Sequence, residues 1–269
     1  MTRKILLYVA LATAAATFIY PFLWMAGTTL KPPSEMGTLS VIPAEPTLES
    51  YRQLFERAAV GRAMLNSALV ATTITLSVLV FGSITAYAMA RLTFPGRRVL
   101  EAVTVGILLV PGQLTLIPTY ALIVELGWVD SYAALIVPYL FNPTAILILR
   151  QFFLAVPRSL LDAGRLDGMG ELRILFTVFW PLATPALATV GLVTFMGSWN
   201  EVLWPLLVVR EESLMTMPQL LTVFALGGGA GSLGVQLAAA MVLVGPVVLA
   251  YVFLQRYFIE SMAGAGVKG

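Results

Sequence analysis

The sequence predicts an all-α, polytopic membrane protein of six transmembrane helices, and three observations predict it. The 269 residues are 59% hydrophobic and only 11% charged, with a mean hydropathy of +0.89, too little polar material to clothe a water-soluble globule. Six apolar runs, at about 5–30, 63–90, 99–124, 131–149, 178–209 and 236–257, are near or above the roughly 20 residues needed to cross a bilayer as helix. None shows the period-2 alternation of a barrel strand. Histidine and cysteine are both absent, which removes disulfides, thiolate nucleophiles and the commonest proton shuttle and metal ligand.

Residues 1–62 read as a first spanning helix and an outer loop, and residues 63–269 as five further helices with an inner loop at about 150–177. Arg3-Lys4 ahead of an apolar stretch has the look of a secretory signal. The run continues past Pro21 to Leu30, too long for a signal's apolar region, so a retained helix is expected. The loop from Lys31 to Arg62 carries Pro32, Pro33, Pro43 and Pro46 and then "TLESYRQLFERA". Thr47 is a plausible cap, and Tyr51, Leu54 and Phe55 have helical spacing. This is a short helix on the outer surface, or a docking site for an external partner. With the N-terminus inside, 11 of the 16 Lys and Arg residues fall on the cytoplasmic side and 5 outside, which places both termini in the cytoplasm. Pro111, Pro118, Pro138, Pro143, Pro185, Pro205 and Pro246 lie in helices three to six. Broken helices survive in lipid only where neighbours or a wet cavity satisfy the freed backbone, so a bundle bent around a pathway is expected.

The inner segment after Arg150 departs from the apolar pattern. Pro157 ends one helix, Ser159 is placed to cap the next, and Asp162 three residues on makes a variant capping box. A short helix should run to about Leu166, with Leu160, Leu161, Ala163 and Leu166 as its less polar positions. Asp167-Gly168 supplies a turn in which glycine takes a positive φ, and a second short helix from Gly170 leads into the fifth run. So small an element has no core of its own. It lies on the bundle or inserts into another protein, or else is a solvated loop whose charges obey the positive-inside rule.

"DAGRLDGMG" resembles the "EAA" loop of ATP-binding-cassette (ABC) importer permeases, which reads Glu-Ala-Ala, two residues, Asp-Gly-Ala and, further on, Ile or Leu before Pro. Asp162, Ala163, Gly164, Asp167, Gly168 and Met169 fall on those positions and Trp180-Pro181 on the later pair, with Asp162 for Glu, Gly164 for Ala and Met169 for Ala as departures. "NSALVATTITL" from Asn66, "AYAMARLTFPGRR" from Ala86, "LVPGQLTLIPTYALIVELGWVDSYAALIVPY" from Leu109, "LRQFFLAVPRSLLDAG" from Leu149, "FMGSWNEVLWPL" from Phe195 and "GAGVKG" from Gly264 follow in the order of the sugar-importer permeases among the binding-protein-dependent transport inner-membrane components.

The resemblance implies a type I ABC importer permease fold in a bacterial inner membrane. It also implies a non-enzymatic subunit that passes a sugar or oligosaccharide by alternating access, beside a second permease, two cytoplasmic ATP-binding subunits and an extracytoplasmic sugar-binding protein. The loop Asp162–Met169, with Arg165, would dock on the ATPase, and Gly264, Lys268 and Gly269 of the tail would reach the same interface. MgATP would be bound by that partner, with no cofactor or metal in this chain. The glycine-rich "GGGAGSLG" at 227–234 lacks the Lys and Ser/Thr of a phosphate loop and reads as an outer loop. The partners are lipid and protein, with no nucleic acid.

For solute, Trp199, Asn200 and Glu201 offer an aromatic face, an amide and a carboxylate. An acid in an apolar run usually faces a cavity or a partner, so Glu201 either touches solute or braces neighbouring helices. Gln113, Tyr120 and Asn142 are further candidates. Glycerol phosphate or another polar solute is an alternative cargo, although the spans carry no bases for a phosphate. An ion-coupled secondary transporter is a rival class that would need more acids in the spans than Glu201.

Overall fold

The computed structural model describes the backbone of residues 2–226 and 232–265, and the side chains of 4–226 and 232–249. The described residues are helices and connecting turns, with no strand among them. Helix α1 (Thr2–Thr29) continues through Pro21, and its most apolar window buries nothing inside the chain. Helix α2 (Glu49–Arg57) packs against α14 (Leu233–Ala265) and the start of α3 (Val60–Arg91). Its buried side chains are Ser50 and Leu54, while Phe55, expected on that face, is exposed. The cap differs too: the N-cap is Leu48, without a side-chain bond, and Thr47 one residue earlier accepts from the amide of Glu49 at 3.2 Å.

Helix α3 (Val60–Arg91) is the axis of the bundle. Ala63, Ser67, Val70, Ile74, Val78, Ala86 and Tyr87 are buried along it, and the three- and four-residue steps that dominate keep them on one side. At its outer end Asn66 has every polar atom engaged. Its Nδ2 donates to the carbonyls of Ser213 at 3.0 Å and Met215 at 2.9 Å, and its Oδ1 accepts from the Tyr132 phenol at 2.7 Å.

Helices α1 and α3 are each long and apolar enough to cross a membrane alone, and three more candidates are bent pairs. The third run, expected as one helix, is α4 (Arg97–Leu108) and α5 (Gly112–Glu125) at 103°. The fourth is α6 (Tyr132–Ile136), prolonged by a 3-10 turn to Tyr139, and α7 (Pro143–Ala155), bent by 42°. The loop before the fifth holds α8 (Arg158–Leu166), and the fifth itself passes through α9 (Glu171–Ile174), a π-turn at Leu175–Phe179 and α10 (Trp180–Leu182), then bends by 88° into α11 (Thr184–Trp199). After α11 follow α12 (Leu203–Val208), α13 (Met217–Leu226) and α14 (Leu233–Ala265).

The prolines explain the bends. Pro111 is the N-cap of α5, Pro143 begins α7 and Pro185 sits in the first turn of α11. A proline costs nothing there, because the first-turn N–H groups are unpaired anyway. Three of the seven expected kinks are therefore starts of new helices, while Pro118 and Pro246 remain inside theirs. Of the glycine-rich stretch, 227–231 lie outside the described residues and Gly234 is already in α14. A Cβ at Gly234 would come within 2.5 Å of both Met36 Cε and Ser50 Oγ, so glycine lets α14 press on the outer loop and α2.

Candidate functional site

The segment from Arg158 to Ile174 is fastened to the bundle. Helix α8 starts at Arg158, with Pro157 as its N-cap and no side-chain cap, so Ser159 does not play the part expected of it. Both the end at Leu166 and the turn agree with the sequence. Gly168 has φ of +74° and opens onto free space. The amides of Asp167, Gly168 and Met169 donate back to the carbonyls of Ala163, Arg165 and Gly164 at 3.0, 3.0 and 2.9 Å, which closes the C-terminal end of α8.

The inward side is made by Leu161, Gly164 and the part-buried Met169, against fully buried Ile174. A Cβ at Gly164 would lie 3.1 Å from Ile174 Cγ1. A methyl here would require the Ile174 side chain to give way by a few tenths of an ångström. Asp162, Ala163, Arg165 and Asp167 all face outward, with Leu160 40% and Leu166 88% exposed. Of the four less polar positions of this helix only Leu161 is buried, and Leu160, Ala163 and Leu166 form an exposed apolar face beside two acids.

Glu171, which sequence reasoning missed, ties this element down. Its Oε1 receives Arg165 Nε at 2.9 Å and its Oε2 the Tyr87 phenol at 2.5 Å. Tyr87 stacks edge-on with Phe179 at 5.0 Å, and Phe179 with Phe153 at 5.6 Å. Arg91 closes the cluster, with its guanidinium donating to the carbonyls of Phe153 and Val156 at the end of α7 and lying 5.4 Å from the Phe179 ring. These contacts join the loop to α3 and the π-turn, and α3 to the end of α7.

Two cavities meet at Glu201. One of about 260 Å³ lies among α3, α6, α11 and α12, with Tyr139, Asn142, Thr194, Ser198, Glu201 and Trp204 in its wall. The other, of about 330 Å³, is bounded by α5 and includes Gln113, Thr115, Thr119, Tyr139, Glu201 and Trp204. Gln113, Asn142 and Glu201 are thus brought together, joined by Tyr139 and Trp204, which the sequence did not single out. Glu201 sits in the break between α11 and α12, where its Oε1 accepts from the Trp204 amide at 3.1 Å; Trp204 Nε1 donates to the Ala134 carbonyl at 2.8 Å. Asn142 also caps α7 through the amide of Ala145 at 3.0 Å.

The other candidates point elsewhere. Trp199 is buried, with Nε1 on the Leu243 carbonyl at 3.1 Å and its ring stacked on Phe195. Asn200 is exposed and bonded to the Met196 carbonyl at 2.8 Å. Tyr120 rests against the hydrophobic core. Residues two apart point to nearly opposite sides even of a continuous helix, and α11 ends at Trp199. Among the described residues no group of three or more Asp or Glu side chains could hold a metal ion. Gly264 lies in α14 and its surroundings are not described, while Lys268 and Gly269 fall outside the described residues.

A bent helical membrane bundle with a fastened loop at one end and a polar-lined cavity within is the architecture of a transport subunit. Residues 78–264 match the family of binding-protein-dependent transport system inner membrane components, and the chain belongs to that family. It is 32% identical to the arabinooligosaccharides transport system permease protein of Halalkalibacterium halodurans, over 98% of this chain and 96% of that one. It is also 32% identical to the sn-glycerol-3-phosphate transport system permease protein of Pectobacterium atrosepticum, over 75% of this chain and 72% of that one. The fold matches a chain in the crystal structure of a bacterial ABC transporter involved in the import of the acidic polysaccharide alginate, with a TM-score of 0.83, 23% identity and 96% of each chain covered.

Proposed function

We propose that this chain is a permease subunit of an ABC importer that carries a sugar or oligosaccharide into the cytoplasm. In this reading it crosses the membrane six times with both termini cytoplasmic, pairs with a second permease and stands on two ATP-binding subunits that hold MgATP. A sugar-binding protein delivers cargo from outside. The observation that carries the reading is the α8–turn–α9 element. It is anchored to α3 through Glu171 and Tyr87, α3 is in turn tied to the end of α7 through Arg91, and in this reading it presents Leu160, Ala163, Leu166 and Asp167 to the cytoplasm. Such a knob, seated in a partner that closes on ATP, would move as a rigid body and carry the bent helices with it.

Cargo chemistry is read from the paired cavities. Tyr139, Gln113, Asn142, Glu201 and Trp204 combine aromatic faces with hydrogen-bonding groups and include no Lys or Arg. That set suits hydroxyls better than a phosphate, and it favours the arabinooligosaccharide relative, which also aligns over nearly the whole chain, over the glycerol-phosphate one. The test is copurification of the tagged chain from its native membrane, followed by an ATPase assay. Recovery of a second permease and an ATP-binding subunit, with hydrolysis stimulated by sugar-loaded binding protein, is expected. Recovery of this chain alone with ATP-independent uptake would refute the reading.

A further inference from the structure

The segment that leaves α1 turns back along it. Trp24 Nε1 donates to the Thr38 carbonyl and the Tyr20 phenol to the Leu39 carbonyl, each at 3.1 Å. A Cβ at Gly27 would lie 1.7 Å from the carbonyl oxygen of Val41, so at that level backbone rests on backbone. Lys31, with no exposed surface, directs its ammonium to the carbonyls of Thr38 and Ser40 at 3.0 and 2.7 Å and to Thr38 Oγ1 at 3.0 Å. The carbonyls of residues 38, 39 and 40 are therefore all occupied from within the chain.

The depth of this segment follows from helix geometry. Trp24 and Tyr20 lie about 7 and 13 Å along the axis from Thr29, back towards the bilayer. A hydrocarbon layer of about 30 Å takes up roughly 20 helical residues. Counted from Ile5, just after Lys4, that length ends at Trp24, and Trp and Tyr are the side chains that collect at a membrane boundary. At that level Leu39 and Ile42 are 78% and 82% exposed, beside an α1 face that is itself uncovered. A water-facing loop has no need to satisfy its carbonyls internally, whereas a segment entering lipid must do so.

We propose that residues 36–43 are seated in the bilayer interface, with Leu39 and Ile42 in lipid, so that this loop sets the depth of α1. The occupant is lipid because the exposed apolar surface is continuous with the lipid-facing side of α1, and the inference rests on α1 crossing the bilayer. The chain has no cysteine, so Leu39→Cys and Ile42→Cys can be spin-labelled singly in the assembled complex in lipid nanodiscs, with the cysteine-free chain as background. Collision with oxygen and with a water-soluble nickel chelate is then compared with Ala14→Cys, mid-helix, and Glu45→Cys, beyond the segment.

Labels at 39 and 42 are expected to show an oxygen-to-nickel ratio several-fold above that at 45 and below that at 14. Nickel-accessible labels at 39 and 42 with a lipid-buried label at 14 would overturn this inference alone, as would labels shielded from both agents, which would mean a protein covers the segment. A nickel-accessible label at 14 would overturn the spanning of α1 and, with it, the six-span reading.

Discussion

Replacing Gly168 tests whether the inner turn transmits force. Its φ of +74° is comfortable only for glycine, yet a Cβ there would meet nothing within 4 Å. Gly168→Ala thus changes the backbone preference alone, and Gly168→Asp adds a charge to the outward face that already holds Asp162 and Asp167. A left-handed conformation costs an L-residue about 1–2 kcal/mol. That is too little to unfold the bundle, since the three amides closing α8 remain. If the penalty falls on the docked geometry, affinity for the ATPase drops by roughly 5- to 30-fold for alanine, at about 1.4 kcal/mol per factor of ten, and further for aspartate. The assay is ATPase stimulation by loaded binding protein alongside uptake in membrane vesicles, with the amount of chain in the membrane as control. Normal uptake and normal stimulation in both variants, at normal abundance, would refute docking through this turn.

Two further outcomes follow from the cavities and from two turns. Glu201→Gln keeps an oxygen to accept from the Trp204 amide and removes only the charge, so thermal stability should stay within about 0.5 kcal/mol of wild type. Loss of a charged hydrogen bond to solute, worth about 1.5–3 kcal/mol, should raise the KM of uptake by roughly tenfold or more, and an unchanged KM would assign Glu201 to bracing α12. Asp130, at φ of 57°, clips the turn after α5 to the turn after α12 by accepting from the amides of Arg210 at 2.5 Å and Glu211 at 2.9 Å. The Glu211 amide foremost, then that of Arg210, hold its carboxyl below the usual range. A depressed carboxyl contributes stability above its unfolded value, near 4, and loses it as pH falls through the folded one. The Tm difference between wild type and Asp130→Asn should therefore be full at pH 6 and shrink towards pH 3. A constant difference would refute the clip.

The sequence by itself determined the elements that depend on neighbours in the chain. Helices α1 and α3 were legible because an uninterrupted apolar run of spanning length has one stable form in lipid. The end of α8 at Leu166 and the turn at Gly168 were legible because only glycine accepts that backbone cheaply. Tertiary structure decided where each run bends and what each side chain meets. A proline within an apolar run reads the same whether it kinks a helix or starts one, so Pro111 and Pro185 signalled a bend but not the new helix or the near right angle beside each. The Tyr87–Glu171 contact joins residues 84 positions apart, and no local pattern marks the two as partners. Trp199 and Glu201, two residues apart, would point to opposite sides even of a continuous helix, and only the packing shows that one meets α14 and the other the cavities. Gly164 shows the limit most directly. Helix propensity alone favours alanine there, and only the tertiary structure shows that a methyl would press on Ile174.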